Sequence, residues 1–331
     1  MEQRYPASAV GSYTVNPRKC AIIGCGNVGA TTAYTLMQTG WFSEMVLIDV
    51  NTKKAEGEAA DLAHGLPFHT PMDVYAGDYT DLSDCGLIII TAGANQKPGE
   101  TRLDLVRTNT KIFRSIVGNI ALYNQGAILL VVTNPVDVLS YVTYRVSGFP
   151  AHRVIGSGTV LDTARLKQMV GSHLGVDSRN VHSFIIGEHG DSELAVWSSA
   201  NVSGVDLHHF CDSCGRGYDK PVLDALFREV RDSAYSIIEA KGATYYAIAE
   251  SVKRIVSAIV RNESTILPVS ALVDGHYGLN GVYMSLPCIV NRSGVKQVLE
   301  IPLNEEEETY LRHSAHTLKE AVGELEPELH F

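Results

Sequence analysis

Short, unbroken apolar runs alternate with helix-like segments through the first half of the chain, and that alternation restricts the fold more than any other feature. Residues 19–24 (KCAIIG), 44–50 (EMVLIDV), 86–91 (GLIIIT) and 127–133 (AILLVVT) read as strands with no polar face. Residues 30–39, 53–64 and 111–124 read as helices among them. Strands apolar on both sides must be covered on both sides, which calls for a parallel sheet between two helical layers. Right-handed crossovers then make the sheet doubly wound. From about Gly158 the pattern changes. Longer helices (161–173, 218–240, 244–261) surround strand candidates at 181–186, 265–273 and 282–290. The expectation is an N-terminal arm (1–18), an α/β domain (19–157) and a mixed α+β domain (158–331), a division that 331 residues suit at ~150 per domain. The tail at 304–325 starts on an asparagine cap followed by four glutamates, a solvated helix start.

Charge narrows the partners. Lysine and arginine total 27 against 37 acidic residues, a net charge of −10, with no basic run to displace counterions from nucleic acid. An anionic substrate would therefore need a few placed arginines. No apolar run is long enough to span a membrane, and the first residues lack the apolar core of a secretory signal. The six cysteines are sparse, which suits reduced thiols in a cytoplasmic protein. Cys211 and Cys214 form the one close pair, with no second pair or spaced histidine, so no metal site is expected.

Five motifs carry chemistry. Gly24-Cys25-Gly26-Asn27-Val28-Gly29 joins the first strand to the first helix. In a Rossmann-type fold the first glycine makes the tight turn, the second admits a pyrophosphate, and the third lets helix pack on strand. Asp49 ends the next strand, 25 positions after Gly24, where an acid takes the ribose hydroxyls and repels a 2′-phosphate. That favours NAD over NADP. His189, in Gly187-Glu188-His189-Gly190-Asp191-Ser192, follows an apolar strand and has the near-neutral pKa that proton exchange needs. Asp162 and Arg165 share a helix face at i, i+3, fit to hold an imidazole and clamp a carboxylate. The same spacing equally suits an ion pair within the helix. Residues 91–104 (TAGANQKPGETRLD) form a glycine-bounded loop carrying Gln96 and Arg102, a candidate lid or a plain surface loop. Asn134, before Pro135, ends a further strand at the same edge.

From about Lys19 to its end the chain resembles the L-lactate dehydrogenases, the bacterial branch in particular. The segments ITAGANQKPGETRLDLV, VVTNPVDV, GSGTVLDTARLK and IIGEHGDSELAVWS carry the resemblance. It implies that His189 exchanges the proton, Asp162 supports it, Arg165 grips the substrate carboxylate by a two-pronged contact, and Arg102 polarises the ketone. Gln96, Asn134 and Thr244 would complete the substrate pocket. Gly24, Gly26, Val28, Gly29, Asp49, Lys54, Tyr79, Gly93, Ala94, Ser115, Val132, Asn134 and Ser157 would meet NAD. The implied reaction converts pyruvate and NADH to L-lactate and NAD. Malate dehydrogenases share this machinery but carry arginine where this chain has Gln96, and a neutral amide leaves a second substrate carboxylate unpaired. A dehydrogenase for bulkier 2-hydroxy acids and a catalytically silent NAD-binding protein are the other readings. The resemblance further implies a homotetramer and an effector site for fructose 1,6-bisphosphate at Lys167 and His182, with lysine standing where responsive members carry arginine.

Overall fold

The computed structural model describes residues 15–94 and 102–325; of Arg102 only the backbone is described. Six parallel strands form the first half: β1 (Asn16–Ile23), β2 (Glu44–Ile48), β3 (Asp73–Ala76), β4 (Cys85–Ile90), β5 (Ile128–Val131) and β6 (Val154–Gly156). They lie side by side as β3-β2-β1-β4-β5-β6. The order reverses between β1 and β4, and that crevice is where doubly wound sheets take ligands. Helices α1 (Asn27–Met37) and α2 (Thr52–Gly65) cover one face, and α3 (Arg102–Tyr123) and α4 (Val136–Ser147) the other. Strand β1 shows why both faces are apolar. Cys20 and Ile22 enter one core, while Ala21 and Ile23 enter the opposite one.

The second half begins with α5 (Val160–Leu174) and continues through the short strands β7 (Val181–His182), β8 (Ile185–Ile186), β9 (Leu194–Ala195), β10 (Asn201–Val202) and β11 (Val205–Asp206). Helices α6 (Leu207–Ser213), α7 (Lys220–Lys241) and α8 (Tyr246–Val260) follow, then strands β12 (Thr265–Asp274), β13 (Asn280–Asn291) and β14 (Gly294–Val298), and last α9 (Glu305–Gly323). The β12–β14 meander extends the first sheet instead of forming a separate one, because β12 pairs antiparallel with β6 at Ser270 and Gly156. Gly156 permits this approach, since a Cβ there would meet the Ser270 Cβ at 2.7 Å. The single strand expected at 181–186 is two. β7 pairs with β10 and β8 with β9, and Ser183 between them turns its hydroxyl to the Val196 carbonyl at 3.1 Å. The helix expected at 111–124 is the second half of the longer α3, and α8 starts at Tyr246, two residues later than expected.

Candidate active site

The carboxyl ends of the parallel strands share one edge, and most of the residues singled out in the sequence hang from it. In the β1–α1 turn, Gly24 has φ +103° and its missing Cβ would lie 2.4 Å from the Ala92 nitrogen. A Cβ on Gly29 would sit 1.9 Å from the Gly24 carbonyl oxygen, so the third glycine is needed for helix to meet strand. Gly26 differs: a Cβ there would meet no protein atom within 4 Å, and no side chain caps α1. The helix N-terminus therefore keeps its amide donors and an open face for a pyrophosphate. Asp49, just past β2, accepts from the Cys25 N–H at 2.7 Å and the Asn51 N–H at 2.8 Å, which locks the turn to the start of α2. Lys54 is exposed in the first turn of α2, Ser115 is exposed on α3, and Tyr79 is half-buried beyond β3.

Beyond β4 and β5 one side chain organises two loops. Asn109, buried on α3, accepts from the Ala94 N–H at 2.8 Å and donates to the Asn134 carbonyl at 3.1 Å. Gly93 lies against Thr133, whose methyl a Cβ would meet at 2.4 Å. The Asn134–Pro135 peptide is cis. Gln96 lies outside the described residues, as does the side chain of Arg102.

Residues of both halves converge on a cavity of about 130 Å³. Val28, Val132, Asn134 and Ser157 line it from the first half, and Arg165, His189 and Thr244 from the second. Behind it, His189 Nδ1 lies 2.6 Å from Asp162 Oδ2, and Arg165 Nη1 lies 3.0 Å from Asp162 Oδ1. The helix-face pairing and the imidazole contact are therefore both made, one by each oxygen of a buried carboxylate. With Nδ1 engaged, Nε2 is the ring nitrogen left for a ligand. Burial disfavours the imidazolium, but the Asp162 charge and hydrogen bond outweigh it, and the His189 pKa rises to about 9. Asp162 is held low in spite of burial by His189 and Arg165.

Two acids went unnoticed in the sequence. Asp137, on α4, accepts the His189 backbone N–H at 2.7 Å, and burial lifts its carboxyl to about 6. Glu193 is buried with one carboxylate oxygen unpartnered, and burial together with the Asp162 charge raises it to about 9. Ligand atoms of Asp162, His189 and Glu193 lie within 4.8 Å of one another. Since Asp162 is already engaged by both His189 and Arg165, this cluster is suited to holding protons. Asp137 follows Asn134 by three positions and Glu193 follows His189 by four, and that proximity is the only mark either leaves in the sequence. Lys167, half-buried on α5, and His182, exposed on β7, do not line the cavity.

Residues 18–156 match the family profile of the lactate/malate dehydrogenase NAD binding domain, and residues 159–328 that of the alpha/beta C-terminal domain. The chain belongs to the lactate/malate dehydrogenase family. Within this family it is 54% identical over 309 residues to an L-lactate dehydrogenase of Acetivibrio thermocellus, covering 93% of this chain and 98% of that one. An L-lactate dehydrogenase 1 of Clostridium acetobutylicum is 52% identical over 307 residues, with 93% and 98% covered. Among solved structures, a lactate dehydrogenase from a Medee basin deep-sea metagenome library superposes with a TM-score of 0.91 at 45% identity. The minor L-lactate dehydrogenase of Enterococcus mundtii, in its ligand-bound form, gives 0.90 at 42%. Each covers 93% of this chain and 98% of its own. The cofactor is NAD, and the three-glycine turn with its open middle position fits it.

Proposed function

We infer that the chain is an NAD-dependent L-lactate dehydrogenase, interconverting pyruvate and L-lactate. The observation that carries this reading is the His189–Asp162–Arg165 set opening onto a cavity whose other wall belongs to the NAD-binding half. NADH supplies the hydride when bound, and Gly24, Gly26, Val28, Gly29 and Asp49 would hold its dinucleotide, with Val132, Asn134 and Ser157 at the nicotinamide end. Residues 19–157 would thus carry the cofactor site and, through Gln96, Arg102 and Asn134, part of the substrate site, with residues 158–331 supplying the rest.

His189 is charged at neutral pH because Asp162 stabilises its imidazolium, so it can protonate the ketone oxygen from Nε2 as the alcohol forms. In the reverse direction the neutral ring takes the hydroxyl proton. Arg165, fixed by Asp162, presents a planar guanidinium to the substrate carboxylate, a geometry lysine cannot copy. Arg102 is assigned to the developing negative charge on the ketone oxygen. Asn134 is assigned to the same oxygen, and Thr244 to the pocket wall.

Pyruvate is favoured over oxaloacetate because Gln96 is uncharged and would leave a second carboxylate without a counter-charge. The test is NADH oxidation with pyruvate, oxaloacetate and bulkier 2-oxo acids, using the wild type beside Gln96→Arg. Wild type should prefer pyruvate, and the variant should gain kcat/KM for oxaloacetate by about tenfold or more. A wild type that prefers oxaloacetate would overturn the lactate reading.

The enzyme is further proposed to be a cytoplasmic homotetramer that responds to fructose 1,6-bisphosphate. All six cysteines are free, in keeping with a reducing compartment, and no described helix is long and apolar enough to cross a membrane. Burial lowers the proton affinity of Lys167, so its ammonium would gain from an anionic neighbour, and β7, which carries His182, packs against α5.

A further inference from the structure

Ser314 lies in the middle of α9, fully buried and far in sequence from every motif of the site. Its hydroxyl oxygen accepts the Glu188 backbone N–H at 2.7 Å, immediately before His189. The Ser192 hydroxyl lies 3.1 Å from the same oxygen and donates to the Glu188 carboxylate at 2.5 Å. One hydroxyl therefore ties both shoulders of the histidine turn to the last helix. The start of the turn is equally constrained. Gly187 exchanges two backbone hydrogen bonds of 2.9 Å with Ser285 on β13, and a Cβ on it would sit 2.7 Å from Ser314 Oγ.

Beside β13 at Gly187, three further elements hold the turn at successive points. α9 takes the Glu188 N–H through Ser314, α4 takes the His189 N–H through Asp137, and α5 takes the His189 ring through Asp162. Proton transfer depends on where Nε2 points, to within a few tenths of an ångström. A ring bonded only at Nδ1 can still pivot about that contact, so the backbone anchors set its aim.

We propose that Ser314 is a positioning residue for the reaction, holding the histidine turn so that Nε2 of His189 faces the substrate oxygen. The proposal rests on the reading of His189 as the proton donor. Without the Ser314 hydroxyl, a buried N–H at Glu188 loses its acceptor and Ser192 loses a neighbour, so the turn re-seats to find new partners.

Ser314→Ala and Ser314→Thr are compared with wild type in kcat, pyruvate KM, NADH affinity, melting temperature and the pH profile of kcat/KM. Alanine should lower kcat about tenfold, shift the alkaline limb of the profile and leave NADH affinity unchanged. Threonine keeps the oxygen and should restore most of kcat. If alanine lowers only the melting temperature, with kcat and the pH profile unmoved, Ser314 is structural and the proposal fails. It fails equally if threonine and alanine are impaired to the same degree in kcat while both remain folded. Wild type inactive on every 2-oxo acid would instead remove the dehydrogenase reading, a result these variants cannot mimic.

Discussion

Glu193 shows how a side chain's chemistry is set by neighbours distant in sequence. Asp162 and Arg165 come from α5, Arg231 from α7 and His189 from the preceding turn, and burial, aided by the Asp162 charge, outweighs His189, Arg165 and Arg231 in raising its carboxyl to about 9. In the unfolded chain the same group ionises near its ordinary value of 4.5. Between those values the folded protein binds the extra proton, so this group's contribution to stability falls as pH rises from about 4.5 to about 9. Glu193→Gln removes the penalty. Thermal melts should show no gain at pH 4.5 and a gain that grows steadily as the pH rises toward 9. His189, Asp162 and Arg165 were legible because their residue types and spacing match a known chemistry. Glu193 was not, since nothing in GEHGDSE says that Asp162 will lie beside it.

At the scale of elements, the β1–α1 turn separates two uses of glycine. Gly29→Ala puts a Cβ 1.9 Å from a backbone oxygen and must push α1 off the sheet, so it should cost several kcal/mol and most of the folded yield. Gly26→Ala meets no protein atom, so the melting temperature of the apo-protein should stay within a degree or two. Its NADH affinity should fall at least about tenfold, because the new methyl occupies the approach of the pyrophosphate. Equal NADH affinity in Gly26→Ala and wild type would place the pyrophosphate elsewhere. The sequence showed β1, β2, β4 and β5 as continuous apolar runs, but in the same half it hid three other elements for physical reasons. β3 is a half-exposed edge strand of four residues, and β6 has only three. α4 is buried at every position from Val136 to Thr143, and its polar stripe of Asp137, Ser140 and Thr143 faces the protein interior, so residue type does not mark a solvent face there.

For the molecule as a whole, what the sequence left open was how its halves join. The expected second domain does not stand apart: its meander completes the nine-stranded sheet, and α5 leaves β6 to carry Asp162 and Arg165 to the carboxyl edge where the cofactor loops gather. Apolar runs identify strands but not their neighbours across a sheet, so the pairing of Ser270 with Gly156 was invisible. Regulation belongs to this scale too. Fructose 1,6-bisphosphate should lower pyruvate KM several-fold at pH 6 and less at pH 8. Lys167→Ala should abolish the response and leave the rate without effector intact. Equal activity with and without effector at pH 6 would remove the regulatory claim. The central claim is that the Asp162 carboxylate keeps a proton on His189 for delivery to pyruvate, and the pH dependence of kcat/KM for pyruvate tests it most directly. Wild type should hold a plateau to about pH 9 and then fall about tenfold per unit, following the His189 pKa. Asp162→Asn should begin that fall about two units lower, since burial is then opposed only by the weaker pull of Glu193 and Asp137. A wild type and a variant that lose activity at the same pH would contradict the account.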